Sequence, residues 1–253
     1  MSDISKHIIQ QDAWHSLKVF TNARIALGKT GTAIPLKEVL QFKLAFAHAR
    51  DAVYSVLDNK DLSSRLAFFQ LPIYFLESEA NNRTVYLQRP DLGKLLNDHS
   101  KKQILNTDHL HYDIAIILAD GLSATAINNH AIPVLQLLVP MLQQLQYAIS
   151  TIVVVQNARV AISDEVGSLL NAKLSLVLIG ERPGLTSPDS MGAYLTFNPT
   201  PGLTDESRNC ISNIRPEGLQ YKPATEKILY LIQESLRLKL SGVNLKDNKK
   251  LLS

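Results

Sequence analysis

The stretch Leu174-Ser175-Leu176-Val177-Leu178-Ile179-Gly180-Glu181-Arg182-Pro183-Gly184-Leu185 decides how the chain is read. It opens as an apolar run short enough to be a buried strand. It then stops at Gly-Glu-Arg-Pro-Gly. Open α/β sheets place their ligands outside the carboxyl ends of their strands, where such loops lie. The other reading is a charged turn held in water, and this stretch alone leaves both open.

Two segments upstream repeat the pattern. Asp113-Ile114-Ala115-Ile116-Ile117-Leu118-Ala119 reads as a buried strand ending at Asp120-Gly121-Leu122-Ser123. Thr151-Ile152-Val153-Val154-Val155 reads as a second, ending at Gln156-Asn157-Ala158-Arg159-Val160. A helical segment lies between them, with Pro133 and Pro140 implying a break or kink. A shorter helix follows the second strand to about Ala172, with Ser163 as its cap and Asp164 and Glu165 in its first turn. Strand and helix in alternation indicate a parallel sheet with right-handed crossovers. Continuous apolar strands indicate that both faces of the sheet are covered. The fold expected is therefore α/β, Rossmann-like, with a mostly parallel sheet flanked by helices.

Residues 193–197 read as a fourth strand, and a long loop carries Arg208, Cys210, Asn213 and Arg215. A helix over 223–240 sets Ile228, Leu229, Ile232, Leu236 and Leu240 on one face, and Gly242 stops it. In a parallel sheet the three polar strand ends share one edge. They form a crest over which the loop around Cys210 folds, and that geometry points to a ligand or a partner.

Before the sheet, residues 1–33 read as a short helical arm and a loop. Ala23-Arg24-Ile25-Ala26-Leu27-Gly28-Lys29-Thr30 lacks the first glycine of a phosphate loop and the strand before it, so it reads as a glycine-bounded turn. Pro35 opens an amphipathic helix carrying Leu36, Val39, Leu40, Leu44, Phe46 and Val53, which ends at Asp58-Asn59-Lys60-Asp61. Within it, Ala47-His48-Ala49-Arg50-Asp51 reads as a solvated or partner-facing stripe. Residues 62–79 fit no single element. Arg83-Thr84-Val85-Tyr86-Leu87 reads as a short strand, and Asp91 as the cap of a short helix through Leu96. Two segments follow: an N-terminal, partner-facing helical segment over 1–80, and an α/β domain over 81–253.

Composition limits the function. Of 253 residues, 45% are hydrophobic and 19% charged, enough for a full core. A net charge of +3 argues against a nucleic-acid partner. One cysteine, Cys210, allows no internal disulfide and fits a reducing cytosol. No apolar run has the length of a membrane span or of a signal peptide, so a cytoplasmic location is expected. The motifs of common enzymes are missing. Asp120-Gly121-Leu122-Ser123-Ala124-Thr125 has one glycine of the dinucleotide fingerprint. Ser123 and Ser212 lie in no nucleophile elbow. His109 and His111 have no second cluster to complete a metal site. Cys210 has no evident base and reads as a small buried residue.

Four blocks occurring in order carry a resemblance: Tyr86-Leu87-Gln88-Arg89-Pro90-Asp91-Leu92-Gly93, Ala119-Asp120-Gly121-Leu122-Ser123-Ala124, Gly180-Glu181-Arg182-Pro183-Gly184-Leu185, and Asn209-Cys210-Ile211-Ser212-Asn213-Ile214-Arg215-Pro216-Glu217-Gly218-Leu219. Together the blocks resemble the small (light) subunit of ethanolamine ammonia-lyase. Thr21-Asn22-Ala23-Arg24-Ile25 with Gly28, and the helix around Ala47-His48-Ala49-Arg50-Asp51, fit the same family. The resemblance runs from about residue 14 to 245.

It implies an adenosylcobalamin enzyme that converts ethanolamine to acetaldehyde and ammonia by radical chemistry. Substrate and adenosyl group sit mainly in a large (heavy) subunit, a β/α barrel, within a higher-order hetero-oligomer. No catalytic residue is expected here, and this subunit alone is expected to be inactive. The cofactor keeps its own benzimidazole on cobalt, and the chain has no D-x-H-x-x-G to replace it. The resemblance places cobalamin contacts on Val160, Glu181 and Cys210. Val160 would pack on the corrin, Glu181 accept a bond from a corrin amide, and Cys210 offer a small surface or its backbone. Arg182 is left as a structural ion-pair residue. Ala158 departs from the family, where a glycine commonly precedes the Arg-Val pair. The long N-terminal extension of some members is nearly absent, which weakens an expectation of packaging in a bacterial microcompartment. The readings that compete are a stand-alone nucleotide-binding α/β enzyme and a scaffold subunit without cofactor contact.

Overall fold

The computed structural model describes residues 9–106 and 111–246. Its centre is a six-stranded mixed sheet made of β1 (Ile73–Glu77), β2 (Tyr112–Ala119), β3 (Ile149–Gln156), β4 (Ala172–Gly180), β5 (Met191–Phe197) and β6 (Arg208–Ile214), in the order β1-β3-β2-β4-β5-β6. The first four strands in that order pair in parallel, β5 pairs antiparallel with β4, and β6 pairs antiparallel with β5. The sheet is thus mixed rather than simply parallel. The physical reason is connection length. Residues 181–190 are too few to hold a crossover helix, so the chain returns beside β4 in the opposite direction. β1 lies within residues 1–80 yet pairs with β3, so the sheet draws on both expected segments.

Both faces are covered. Ile114, Ile116 and Leu118 of β2 pack with α2 (Asn59–Leu66), α5 (Ala124–Gln144) and α7 (Tyr221–Leu238). Ala115, Ile117 and Ala119 pack on the other face with α4 (Asp98–Leu105) and α6 (Ile162–Leu169). This alternation is the period-2 geometry of a strand between two layers. The chain leaves β2 toward one face through α5 and leaves β3 toward the other through α6. A crevice therefore opens above the adjacent carboxyl ends of these strands.

Several local expectations give way to tertiary context. Residues 83–87 form the helix α3 (Arg83–Gln88), not a strand. Asn82 caps it, its side chain accepting from the Val85 N–H at 2.9 Å, and Tyr86 is pulled fully into the core. Asp91 caps no helix through its side chain; it pairs with Arg89 before a short turn over Leu92–Lys94. The expected loop around Cys210 is the edge strand β6, in which Arg208, Ile211 and Ile214 are buried and Cys210 is exposed. An edge strand packed on one side needs few apolar residues, so its sequence reads as a loop. Cys210 is accordingly not the small buried residue expected.

α5 runs unbroken through Pro133 and Pro140. The carbonyls these prolines leave without donors belong to Asn129 and Gln136, both exposed positions that water can satisfy. Ser163 lies inside α6 and donates to the Val160 carbonyl at 2.9 Å; the N-cap is Ala161, and α6 stops at Leu169. α1 (Leu36–Tyr54) ends before residues 58–61, where Asp58 instead caps α2 by accepting from the Asp61 N–H. The unassigned residues 62–79 divide among α2, a short turn over Ala67–Phe69, and β1. α7 ends at Lys239, which takes the left-handed conformation, rather than at Gly242.

α1 stands apart from the core. Only Ala52 of this helix is buried, while Leu36, Leu40, Leu44 and Phe46 are each more than half exposed.

Candidate functional site

The three strand ends do share one edge. Residues 120–123 after β2, 157–160 after β3 and 181–185 after β4 meet above the parallel part of the sheet. Two glycines let them meet. Gly121 has φ +56°, and a Cβ there would lie 2.1 Å from the Gly180 carbonyl oxygen. A Cβ on Gly180 would lie 2.0 Å from the Ser123 carbonyl oxygen. Both approaches are closer than a side chain permits, and the Leu122 N–H donates to the Gly180 carbonyl at 2.9 Å across the junction.

Asp120 ties the ends together. It is 5% exposed. Its two oxygens accept from the backbone N–H groups of Asn157 at 2.9 Å and Ala158 at 3.0 Å. Arg83 lies 3.4 Å away and also donates to the carbonyls of Gly121 at 2.8 Å and Val53 at 2.6 Å. One buried carboxylate therefore links β2, β3, α3 and the end of α1. Burial pushes the Asp120 carboxyl up from its ordinary value, against the donors from Ala158, Asn157 and Arg83 that favour its ionised form.

Tyr86 lies beneath this junction between two guanidiniums, Arg83 at 4.8 Å and Arg159 at 4.4 Å from its ring. Its hydroxyl donates to the Ala158 carbonyl at 3.0 Å, and burial raises its pKa. Ala158 is fully buried, so its methyl group is absorbed by the core.

A cleft of about 410 Å³ opens above, lined by Gly121, Leu122, Arg159, Val160, Glu181 and Tyr194 among others. It brings together Val160 and Glu181. Cys210 lies elsewhere, pairing with Tyr194 across the β5–β6 ladder while β4 and β5 meet the crest at the Gly180–Met191 pair. It is three residues down β5 from that rim, about 10 Å at the rise of a strand. Tyr194 bridges the two places, facing the cleft and standing beside Cys210. Burial pushes the Cys210 thiol up, so it is no ready nucleophile.

Glu181 is already engaged. Its Oε2 accepts from the Ser190 hydroxyl and from the Asn213 N–H at 3.1 Å, joining the β4 end to β5 and β6. The rest of the 181–190 loop is clamped too. Ser123 donates to the Pro188 carbonyl at 2.9 Å. Asp189 pairs with Arg215 at 3.0 Å and with His130 at 3.1 Å, and His130 also bonds the Tyr221 hydroxyl. Burial tends to raise Asp189, but the bonds from His130 and Arg215 prevail and hold it below its ordinary value. The loop is thus fixed in place by Ser123, by His130 of α5, itself held by Tyr221 of α7, and by Arg215 after β6. Arg182 takes no part: it is exposed and has no ion pair among the described residues, contrary to the structural role expected of it.

Among the described residues no group of three or more His, Cys, Asp or Glu could hold a metal ion; His109 lies outside them. No helix is long and apolar enough to cross a membrane. The nonlocal partners of Asp120 and Glu181 were not visible in the sequence. The only local signal was that Asp120 and Glu181 each stand beside a glycine at a strand end.

The model of the ethanolamine ammonia-lyase light chain matches residues 11–246. The chain belongs to that family. The light-chain match covers the whole crest, α1, and the edge strand bearing Cys210. Among curated light-chain relatives, the ethanolamine ammonia-lyase small subunit of Pseudomonas fluorescens (strain Pf0-1) is 48% identical over 240 residues, 94% of this chain and 88% of its own length. That of Xanthomonas campestris pv. campestris (strain ATCC 33913) is 48% identical with the same coverage. That of Pseudomonas syringae pv. tomato is 44% identical over 99% of this chain and 88% of its own length. An ethanolamine ammonia-lyase light chain is one subunit of a lyase, and its name implies a large partner subunit.

Proposed function

We propose that this chain is the subunit that closes a corrinoid site at the interface with a large catalytic subunit, in an adenosylcobalamin-dependent conversion of ethanolamine to acetaldehyde and ammonia. The observation that carries this reading is the cleft at the strand ends, which gathers Val160 and Glu181 from two separate loops.

The residues present fit the cofactor. A corrin is a broad apolar ring fringed with amides. Leu122, Val160 and Ile179 give the cleft an apolar floor. Glu181 lines the wall, and Oε2 carries both of its bonds within the chain, which leaves Oε1 for an amide donor. No histidine lines the cleft, which accords with a cofactor that keeps its own benzimidazole. Cys210 offers a small exposed surface beside Tyr194 at the margin. When bound, adenosylcobalamin supplies the radical chemistry. The light chain's residues bind the ring, orient it and exclude water from one side.

The four parallel strands with helices on both faces support a Rossmann-like reading of this part. The exposed apolar residues of α1 support a partner-facing N-terminal segment. The unpaired cysteine fits a reducing cytoplasm.

Glu181→Ala tests the wall. Losing its two bonds is expected to lower the chain's stability by about 1–2 kcal/mol, leaving it folded. In a spectral titration of the assembled enzyme, corrinoid affinity is expected to fall by about tenfold, the loss of one charge-assisted bond. Unchanged affinity would remove Glu181 from the site.

A further inference from the structure

Arg159 has a cation without a counter-charge. Its side-chain Nε is buried and takes part in no hydrogen bond, and no carboxylate reaches ion-pair distance of it among the described residues. Arg83, on the other side of Tyr86, is compensated by Asp120 and two carbonyls. Among the described residues, Arg159 has the ring face of Tyr86, at 4.4 Å, and no carboxylate. Holding a guanidinium half-buried without an anion is costly, and a ligand anion relieves that cost.

The surroundings say what kind of anion. Arg159 sits on the wall between the corrinoid cleft and a second hollow of about 490 Å³, lined by Phe46, Leu87, Leu122, Arg50, Arg159 and Arg182 among others. No acidic residue lines this hollow. Arg50 and Arg182 are exposed and free of ion pairs among the described residues. Three arginines converging on an apolar hollow suit a phosphate ester carried by a large apolar ligand, because the guanidinium fork matches phosphate oxygens.

We propose that Arg159, assisted by Arg50 and Arg182, binds the phosphodiester of the corrinoid's nucleotide loop. This rests on the corrinoid reading above. It assigns the hollow beside the cleft to the tail of the ligand whose ring the cleft takes. Arg159 is then a specificity residue: it selects complete corrinoids over those lacking the phosphate.

The test uses the assembled enzyme and three probes in spectral titrations: cyanocobalamin, cobinamide phosphate, and cobinamide, which has neither phosphate nor base. Wild type is expected to bind the two phosphate-bearing probes about 10- to 100-fold more tightly than cobinamide. Arg159→Gln is expected to abolish that difference by weakening the two phosphate-bearing probes far more than cobinamide, and Arg159→Lys to keep part of it. Should Arg159→Gln fail to assemble, the double variant Arg50→Gln/Arg182→Gln, at exposed positions, is expected to shrink the same difference. Equal loss for all three probes would overturn the proposal and point to a carboxylate of the large subunit as the partner of Arg159. So would discrimination that survives Arg159→Gln. In both of those cases the corrinoid reading stands. If none of the probes binds the wild-type assembly, that reading fails and this proposal with it.

Discussion

Asp120→Ala is expected to destabilise the chain by about 3–5 kcal/mol, the effect of stranding a buried charge and its donors. The substitution leaves the Asn157 and Ala158 N–H groups without acceptors in a dry crevice, and leaves Arg83 with carbonyls only. For a chain of this size the midpoint of thermal unfolding should fall by about 10 °C or more. The damage should be specific as well as large. Asp120 positions the backbone that carries Arg159 and Val160, so the same variant should lose corrinoid binding in the assembled enzyme under conditions where it is still folded. Asp120→Asn is expected to be milder, because its carbonyl can still accept one of the two N–H bonds. A melting curve for Asp120→Ala that matches wild type would show that the junction does not depend on this carboxylate.

The second large effect is expected at the far edge of the sheet. Arg208 on β6 and Asp164 on α6 form an ion pair in which both side chains are almost completely buried. Arg208 also reaches Asp205 at 3.0 Å and the Leu203 carbonyl at 3.1 Å. Arg208→Met should cost about 3–5 kcal/mol, because it leaves Asp164 as a buried, uncompensated charge. Arg208→Met/Asp164→Leu should recover much of that loss, since an apolar pair of similar volume needs no counter-charge.

The pH dependence follows from the same residue. Burial pushes Asp164 up to about 6, with Arg208 offsetting part of that rise. The folded value lies above the ordinary 3.8, so protonation favours the fold. That contribution is present in full below about pH 4 and is lost as pH rises through about 6. In Arg208→Met the offset disappears, so this variant should be more sensitive than wild type to raising the pH through that range. Denaturant midpoints between pH 5 and pH 8 provide the comparison. Equal slopes for the two proteins would mean that Arg208 and Asp164 are not coupled.

Parts of the fold were plain in the sequence for a physical reason. β2, β3 and β4 are covered on both faces, so their central stretches 114–119, 152–155 and 176–179 are wholly apolar and stand out as continuous runs. The crest followed from the rule that parallel strands end on one edge. β6 was hidden because an edge strand carries polar residues, among them Asn209, Cys210, Ser212 and Asn213. α3 was hidden because Thr84, Val85 and Tyr86 favour strands, while its helical form depends on the Asn82 cap and on the burial of Tyr86. Pro133 and Pro140 suggested a break that α5 does not have, because the sequence does not show which carbonyls face water.

Legibility of the site divides in the same way. Val160 and Glu181 were placed together by strand order, and the structure brings them into one cleft. The loop around Cys210 was expected to fold over the crest, but Cys210 lies on the edge strand β6, down the sheet from it. The partners of Glu181 are Ser190 and the Asn213 N–H, and Arg159 has no ionic partner among the described residues; both facts depend on packing between distant segments. Arg50 and Arg182 read as solvated or structural charges for the same reason, since neither reveals in sequence that it faces the hollow beside Arg159.

The most direct measurement is acetaldehyde formation from ethanolamine, with adenosylcobalamin present, by this chain alone, by a large ethanolamine ammonia-lyase subunit alone, and by the two co-expressed. Turnover is expected only from the co-expressed pair. Turnover by this chain alone, or none from the pair, would contradict the assignment of this chain as the subunit that completes the corrinoid site.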